Sequence, residues 1–201
     1  MPRPLSEPEI AEFRDKLCNA AAGLFARHGR DGFTLRSLSA ELGVSPMTPY
    51  RYFKDKDDIL AAVRARAFDR FSQALEDAFA GEGPALERTM RVGDAYVRFA
   101  FAEPDSYRLM FDLTQPDEEN YPDLVRAATR ARRMMSEHVR NLIAEGILEG
   151  DPVVIGHVFW AAVHGAIVLQ MAGKLGPDCD FAHIRDATMR ALYRGFAPKD
   201  R

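Results

Sequence analysis

The chain has 201 residues, 47% of them hydrophobic, and a formal net charge of -3. It holds enough apolar material for one large core or two modest ones without cross-links, and its charge excludes a general nucleic-acid coat protein. Its two cysteines, Cys18 and Cys179, fit neither a CxxC nor a Cys/His metal spacing and read as small core residues.

Helical periodicity runs through the sequence, and no alternating apolar–polar segment bounded by turn pairs makes a strand, so an all-α fold of about nine helices is predicted. After the start MPRPLSEPEI, which has no hydrophobic signal core, Ile10, Phe13, Leu17, Ala20, Ala21, Leu24 and Phe25 recur at helical spacing until Gly29. Asp31-Gly32 marks a turn, and Thr34 caps a short helix bearing Leu35, Leu38 and Leu42. Gly43 breaks that helix, and Ser45 caps the next, with Pro46 at its first position. Longer helices follow at about 56 to 80, 84 to 102, 105 to 113, 121 to 148, 152 to 174 and 180 to 196, separated by Gly/Pro/Asp turn chemistry rather than flexible linkers. The most apolar stretch, Val153 to Ala172, is interrupted by His157, Trp160, His164 and Gln170 and reads as a buried helix. No uncharged apolar run is read as approaching the ~20 residues of a membrane span, so a cytoplasmic protein without membrane association is expected.

Residues 34 to 53, TLRSLSAELGVSPMTPYRYF, carry the functional signal. Two short helices joined by Leu42-Gly43-Val44-Ser45 have the helix-turn-helix layout: Gly43 supplies a positive φ, Val44 plugs the angle, and Leu38 and Leu42 face Phe25 and Phe53. A second helix held outward in this way enters a major groove ~12 Å wide. Its outer face bears Met47, Thr48, Tyr50 and Arg51, which suit base edges or phosphates, with Tyr52 and Lys56 in reach of phosphates. The N–H groups of a helix starting at Ser45 would add an anion site. Charge agrees: Met1 to Lys56 has nine Lys/Arg against seven Asp/Glu, and the remainder has eighteen against twenty-three. A small DNA-facing module on an acidic body fits that asymmetry.

Arg14 to Gly29 (RDKLCNAAAGLFARHG) and Phe33 to Leu60 (FTLRSLSAELGVSPMTPYRYFKDKDDIL) closely resemble the DNA-binding domain of the TetR family of regulators. The resemblance implies a three-helix DNA-binding domain over 1 to 56 and a larger helical effector-binding and dimerisation domain over 57 to 201. It implies operator contacts from Thr34, Arg36, Ser45, Met47, Thr48, Tyr50, Arg51, Tyr52 and Lys56. Pro49 departs from the family pattern: within a recognition helix it removes about one intrahelical bond and disfavours an α conformation at Thr48.

The resemblance further implies a homodimer paired through the last two helices, where Ala161, Ala162, Gly165 and Ala166 permit close approach. A dimer also makes geometric sense, since it sets two recognition elements about 34 to 36 Å apart, or a multiple, over a palindromic operator. Phe159 to Gly165 resembles the Trp-x-x-x-His-Gly element of one branch of the family's C-terminal domains. Trp160 and His164, one turn apart, line a pocket or pack in the core. His157 and His164 lack a third partner at metal spacing, so no metal and no cofactor are expected. Tyr96, Phe99, Phe101, Tyr107, Met110, Phe111, Met134, Met135 and Val139 form an aromatic and Met-rich set that suits either an adaptable apolar cavity or an ordinary core. The effector is then a small, largely apolar or aromatic molecule. Arg130, Arg132 and Arg133 attract an anionic ligand or form a solvated face.

The expected function is a ligand-responsive transcriptional regulator, a repressor released from its operator by a small molecule. The alternatives are a helical protein-interaction module or an activator without small-molecule release. No phosphate-binding Gly-rich loop, GxSxG or HExxH is present, so an enzyme is not expected.

Overall fold

The computed structural model describes residues 6–111 and 118–199. Among them all regular structure is helical: α1 (Glu7–Gly32), α2 (Leu35–Glu41), α3 (Lys56–Ala80), α4 (Ala85–Ala102), α5 (Pro104–Met110), α6 (Pro122–Ala144), α7 (Pro152–Met171) and α8 (Phe181–Phe196). Two 3-10 turns, Pro49–Arg51 and Glu118–Asn120, complete the set. The first of these turns stands where the third of the nine predicted helices was expected. The expected end of the helix at 113, and most of the following break, lie outside the described residues.

Two compact units form, one from residues up to 69 with 104–128, the other from 70–103 with the chain from 129 onward. In the first, Leu17, Ala21 and Leu24 of α1, Leu38 of α2, Phe53, and Ile59 and Leu60 of α3 share one core. Leu42 and Phe25 are half-buried against it, as the periodicity predicts. α1 opens on a capping box between Ser6 and Glu9 and is interrupted at Gly29, whose φ is 65°. α2 starts on a reciprocal cap between Thr34 and Ser37, at 3.0 Å in each direction.

In the second unit, Val139, Leu142, Leu148, Ile155 and Phe159 form the core, with Met189, Leu192 and Tyr193 of α8 packed on it. Phe71 meets Tyr96 and Phe99 edge-on at 5.0 and 5.2 Å. Pro84 offers no side-chain cap to α4. The Glu145 carboxylate, just past the end of α6, accepts from the Ala85 N–H at 3.0 Å instead. Asp151 caps α7 by accepting from Val153 and Val154 N–H. A Cβ added at Gly156 of α7 would lie 2.2 Å from the Met135 carbonyl oxygen, so only glycine permits this approach to α6.

Three expectations are corrected. α6 ends at Ala144 rather than 148, because Gly146, at φ 72°, folds the chain back into a turn in which Ile147 N–H bonds Leu142 O. Cys179 is exposed in the α7–α8 turn and is no core residue, whereas Cys18 is buried. α7 is buried on one side only, at Ile155, Gly156, Phe159, Ala166 and Ile167, leaving Val153, Val154, Val168 and Leu169 exposed. By length and composition alone α7 is apolar enough to cross a membrane.

Candidate nucleic-acid interface and effector cavity

α2 ends in two backbone bonds, Gly43 N–H to Ala40 O at 3.2 Å and Val44 N–H to Ser39 O at 3.0 Å. They require the positive φ of 64° that Gly43 provides, and they turn the chain sharply toward Ser45. The next segment is not the α-helix expected from the sequence. Thr48 N–H bonds Ser45 O, Arg51 N–H bonds Thr48 O and Tyr52 N–H bonds Pro49 O, all three-residue closures. Pro49 has no N–H to return to Ser45, which removes the i to i−4 bond an α-helix would need there. Thr48 nonetheless keeps α-helical dihedrals, and the Pro49 ring is buried. The expected anion site is therefore absent from this segment: Met47 N–H is taken by Ser45 Oγ at 3.4 Å and Thr48 N–H by Ser45 O.

What the turn does is hold a short outward surface. Met47 is 67% and Tyr50 52% exposed, and Arg51, Ser45 and Arg36 of α2 are exposed too. Thr48 is half-buried. Thr34 is committed to capping α2. Tyr52 is drawn back against Phe13, with ring centroids 5.0 Å apart, while Arg14 donates to Tyr52 O and lies 4.6 Å over the Phe53 ring. Lys56 opens α3 with its Nζ 6.0 Å from the Phe33 ring centroid. The structure thus gathers Ser45, Met47, Tyr50 and Arg51 at one exposed turn beside exposed Arg36, and uses Thr34 and Tyr52 largely for support.

A cavity of about 570 Å³ lies within the second unit, between α4, α6, α7 and α8. Tyr96 and Trp160 line it, joined by a hydrogen bond from Trp160 Nε1 to Tyr96 Oη at 2.9 Å. Of the other aromatic and methionine residues expected at a pocket, Phe99 packs on Phe71, Met134 is buried and His164 is half-buried, and none of these three lines this cavity. Tyr107, Met110 and Phe111 belong to the first unit, where Tyr107 and Phe111 meet at 5.0 Å and Tyr107 and Met110 are fully buried. Arg130 is committed to Glu76 and Gln73, and Arg132 to Thr129.

Met135, of the expected aromatic and Met-rich set, also lines the cavity, but the rest of the lining was not anticipated. α8 supplies a wall with Met189, Tyr193, Arg190 and Arg194, and Thr89 and His138 contribute polar groups. Both of these sit on buried stripes, Thr89 among Ala85, Val92 and Tyr96, and His138 among Met135, Val139 and Leu142. A polar residue at a core-facing helical position was the signal that could have found them. Burial pushes the His138 imidazole down to about 4, and lowers His164 in the same direction.

The N-terminal segment, residues 17–63, matches the model of bacterial regulatory proteins of the tetR family, and residues 89–192 match the tetracyclin repressor-like C-terminal domain. The chain belongs to the TetR family of bacterial regulatory proteins. It is 27% identical to the HTH-type transcriptional regulator HbdR of Aromatoleum over 72% of this chain, and the match spans 64% of that relative's length. It is 25% identical to an uncharacterized HTH-type transcriptional regulator of Mycobacterium tuberculosis over 88% of this chain and 78% of the relative. Among solved structures, a protein of unknown function from Rhodococcus superimposes with a TM-score of 0.80, at 28% identity, over 98% of this chain and all of that one. A TetR family regulator from Marinobacter aquaeolei has the same fold, with a TM-score of 0.73 at 17% identity over 96% and 100% of the two chains.

Proposed function

We propose that the protein is a cytoplasmic repressor that binds a palindromic operator as a homodimer and is released when a small, largely apolar molecule occupies the C-terminal unit. The observation that carries this reading is the exposed Met47–Tyr50–Arg51 surface, pinned from beneath by buried Pro49 and Phe53. Arg51 and Arg36 suit phosphates or guanine edges, and Tyr50 a phosphate or a thymine methyl. Ser45, Thr48 and Lys56 stand at the margin of the same surface.

Self-association is supported by α7 and α8. Val154 is 57% and Val168 45% exposed on the outer side of α7, in line with Ala161 and Gly165, and no residue of α8 is fully buried. Pairing α7 and α8 with a symmetry mate removes this apolar stripe from water. The 570 Å³ cavity has the size and apolar lining of an effector site. An effector acts only through different affinities for the DNA-bound and released states, and a 5- to 150-fold loss of operator affinity corresponds to roughly 1 to 3 kcal/mol of coupling.

The test is selection of binding sites from a random duplex pool by the full-length protein. The expected result is an inverted-repeat consensus whose affinity falls steeply with added salt. Failure to enrich any sequence overturns the reading. Replacing Thr48 and Tyr50 together by Ala is expected to abolish specific binding while leaving the dimer intact.

A further inference from the structure

Two residues that line the cavity carry a buried polar atom with no partner. Thr89 Oγ1, on α4, and His138 Nδ1, on α6, are buried without a hydrogen bond, and both residues line the cavity. Native proteins seldom leave such atoms unpaired, and an exception calls for a bound group or a functional reason. Here two exceptions share one cavity. The helices that carry them are tied together nearby, since Glu145 closes the first turn of α4 one turn before Thr89. Much of the remaining lining is apolar, including Val92, Val97, Ile147, Phe159 and Met189.

We infer that the cavity takes an uncharged amphipathic molecule, an apolar body bearing one hydroxyl or carbonyl oxygen held between Thr89 and His138. This deepens the effector reading above and rests on it. A threonine hydroxyl both donates and accepts, and a neutral imidazole offers one N–H and one lone pair. An alcohol satisfies both residues at once, and a ketone accepts from both. A carboxylate would give up its hydration without meeting a cation at these two atoms. The cations on the lining, Arg185, Arg190 and Arg194, all come from α8, and Arg185 is already engaged with Asp94 and Asp186. The His138 ring is uncharged at neutral pH because burial lowers its pKa to about 4.

Trp160 is the only tryptophan in the chain and lines the cavity, so its emission reports occupancy. Full-length protein is titrated with 1-octanol, 2-octanone, octanoate and the weakly hydrogen-bonding probe 1-chlorooctane. Octanol and octanone are expected to change the emission and to bind about tenfold or more tightly than octanoate. Thr89→Val and His138→Phe are each expected to weaken octanol binding by about 3- to 10-fold while leaving chlorooctane unchanged, and Thr89→Ser is expected to retain octanol binding. The inference is overturned if none of the four probes changes the emission, or if Thr89→Val leaves the octanol-to-chlorooctane ratio as it was. It is equally overturned if octanoate binds best and loses its advantage in an Arg190→Ala/Arg194→Ala variant. Operator affinity measured alongside separates the two claims: octanol occupancy without an effect on DNA supports the cavity assignment and removes only the sensing role.

Discussion

His138 and Tyr50 show how much a single side chain decides here. With its folded pKa near 4 against an ordinary 6.5, His138 stays neutral in the folded protein over a range where the unfolded chain takes up a proton. Above about pH 6.5 neither state carries that proton, so the residue contributes no pH dependence. As pH falls from about 6.5 to 4 the unfolded state is favoured, by an amount approaching about 3 kcal/mol. Unfolding free energies of the protein and of His138→Phe, measured from pH 7 to 4, should therefore diverge in that window, with the wild type losing more. A constant difference would mean that His138 is protonated or solvated in the folded state. Tyr50 and Arg51 act outward instead. Arg51→Ala is expected to lower the slope of log affinity against log salt by about 1 if its contact is to a phosphate, and to relax base preference at one operator position if it reads a guanine.

At the scale of elements, the helices were legible where their boundaries carry chemistry. Thr34, Asp151-Pro152 and Gly43 mark starts and stops that need no tertiary context. The recognition segment was not fully legible, since Ser45-Pro46 looks like a helix start and only the position of Pro49 converts the turn to 3-10 closures. Pro49→Ala restores the missing donor but removes a buried ring, so a net loss of about 1 kcal/mol in stability is expected from thermal unfolding. The cavity was half legible: Tyr96 and Trp160 were picked out as aromatic, but α8 as a wall was hidden because its Met189 and Tyr193 look like any amphipathic face. Gly156 tests the packing that shapes this cavity. Gly156→Ala sets a methyl against the α6 backbone and is expected to cost about 3 kcal/mol, read as a lowered melting temperature. Gly165→Ala meets nothing within 4 Å in the single chain. It should gain up to about 1 kcal/mol of helix propensity unless a second copy lies against it.

For the whole molecule, the decisive question is what covers the outer side of α7. Val154→Glu or Val168→Glu places a charge in the proposed dimer seam and is expected to shift sedimentation from dimer to monomer. Operator affinity should drop in parallel, because one recognition turn reads too few bases alone. A monomeric variant with full operator affinity would overturn the symmetric-pair reading.

The carboxylate that closes the start of α4 comes from Glu145, sixty positions further along the chain. During translation the Ala85 amide therefore waits for its acceptor until that later stretch has left the ribosome. The second unit draws on both 70–103 and the chain from 129 onward, so a truncation just before Glu145 is expected to lose that unit's fold rather than yield a smaller folded piece, read as loss of its cooperative thermal unfolding.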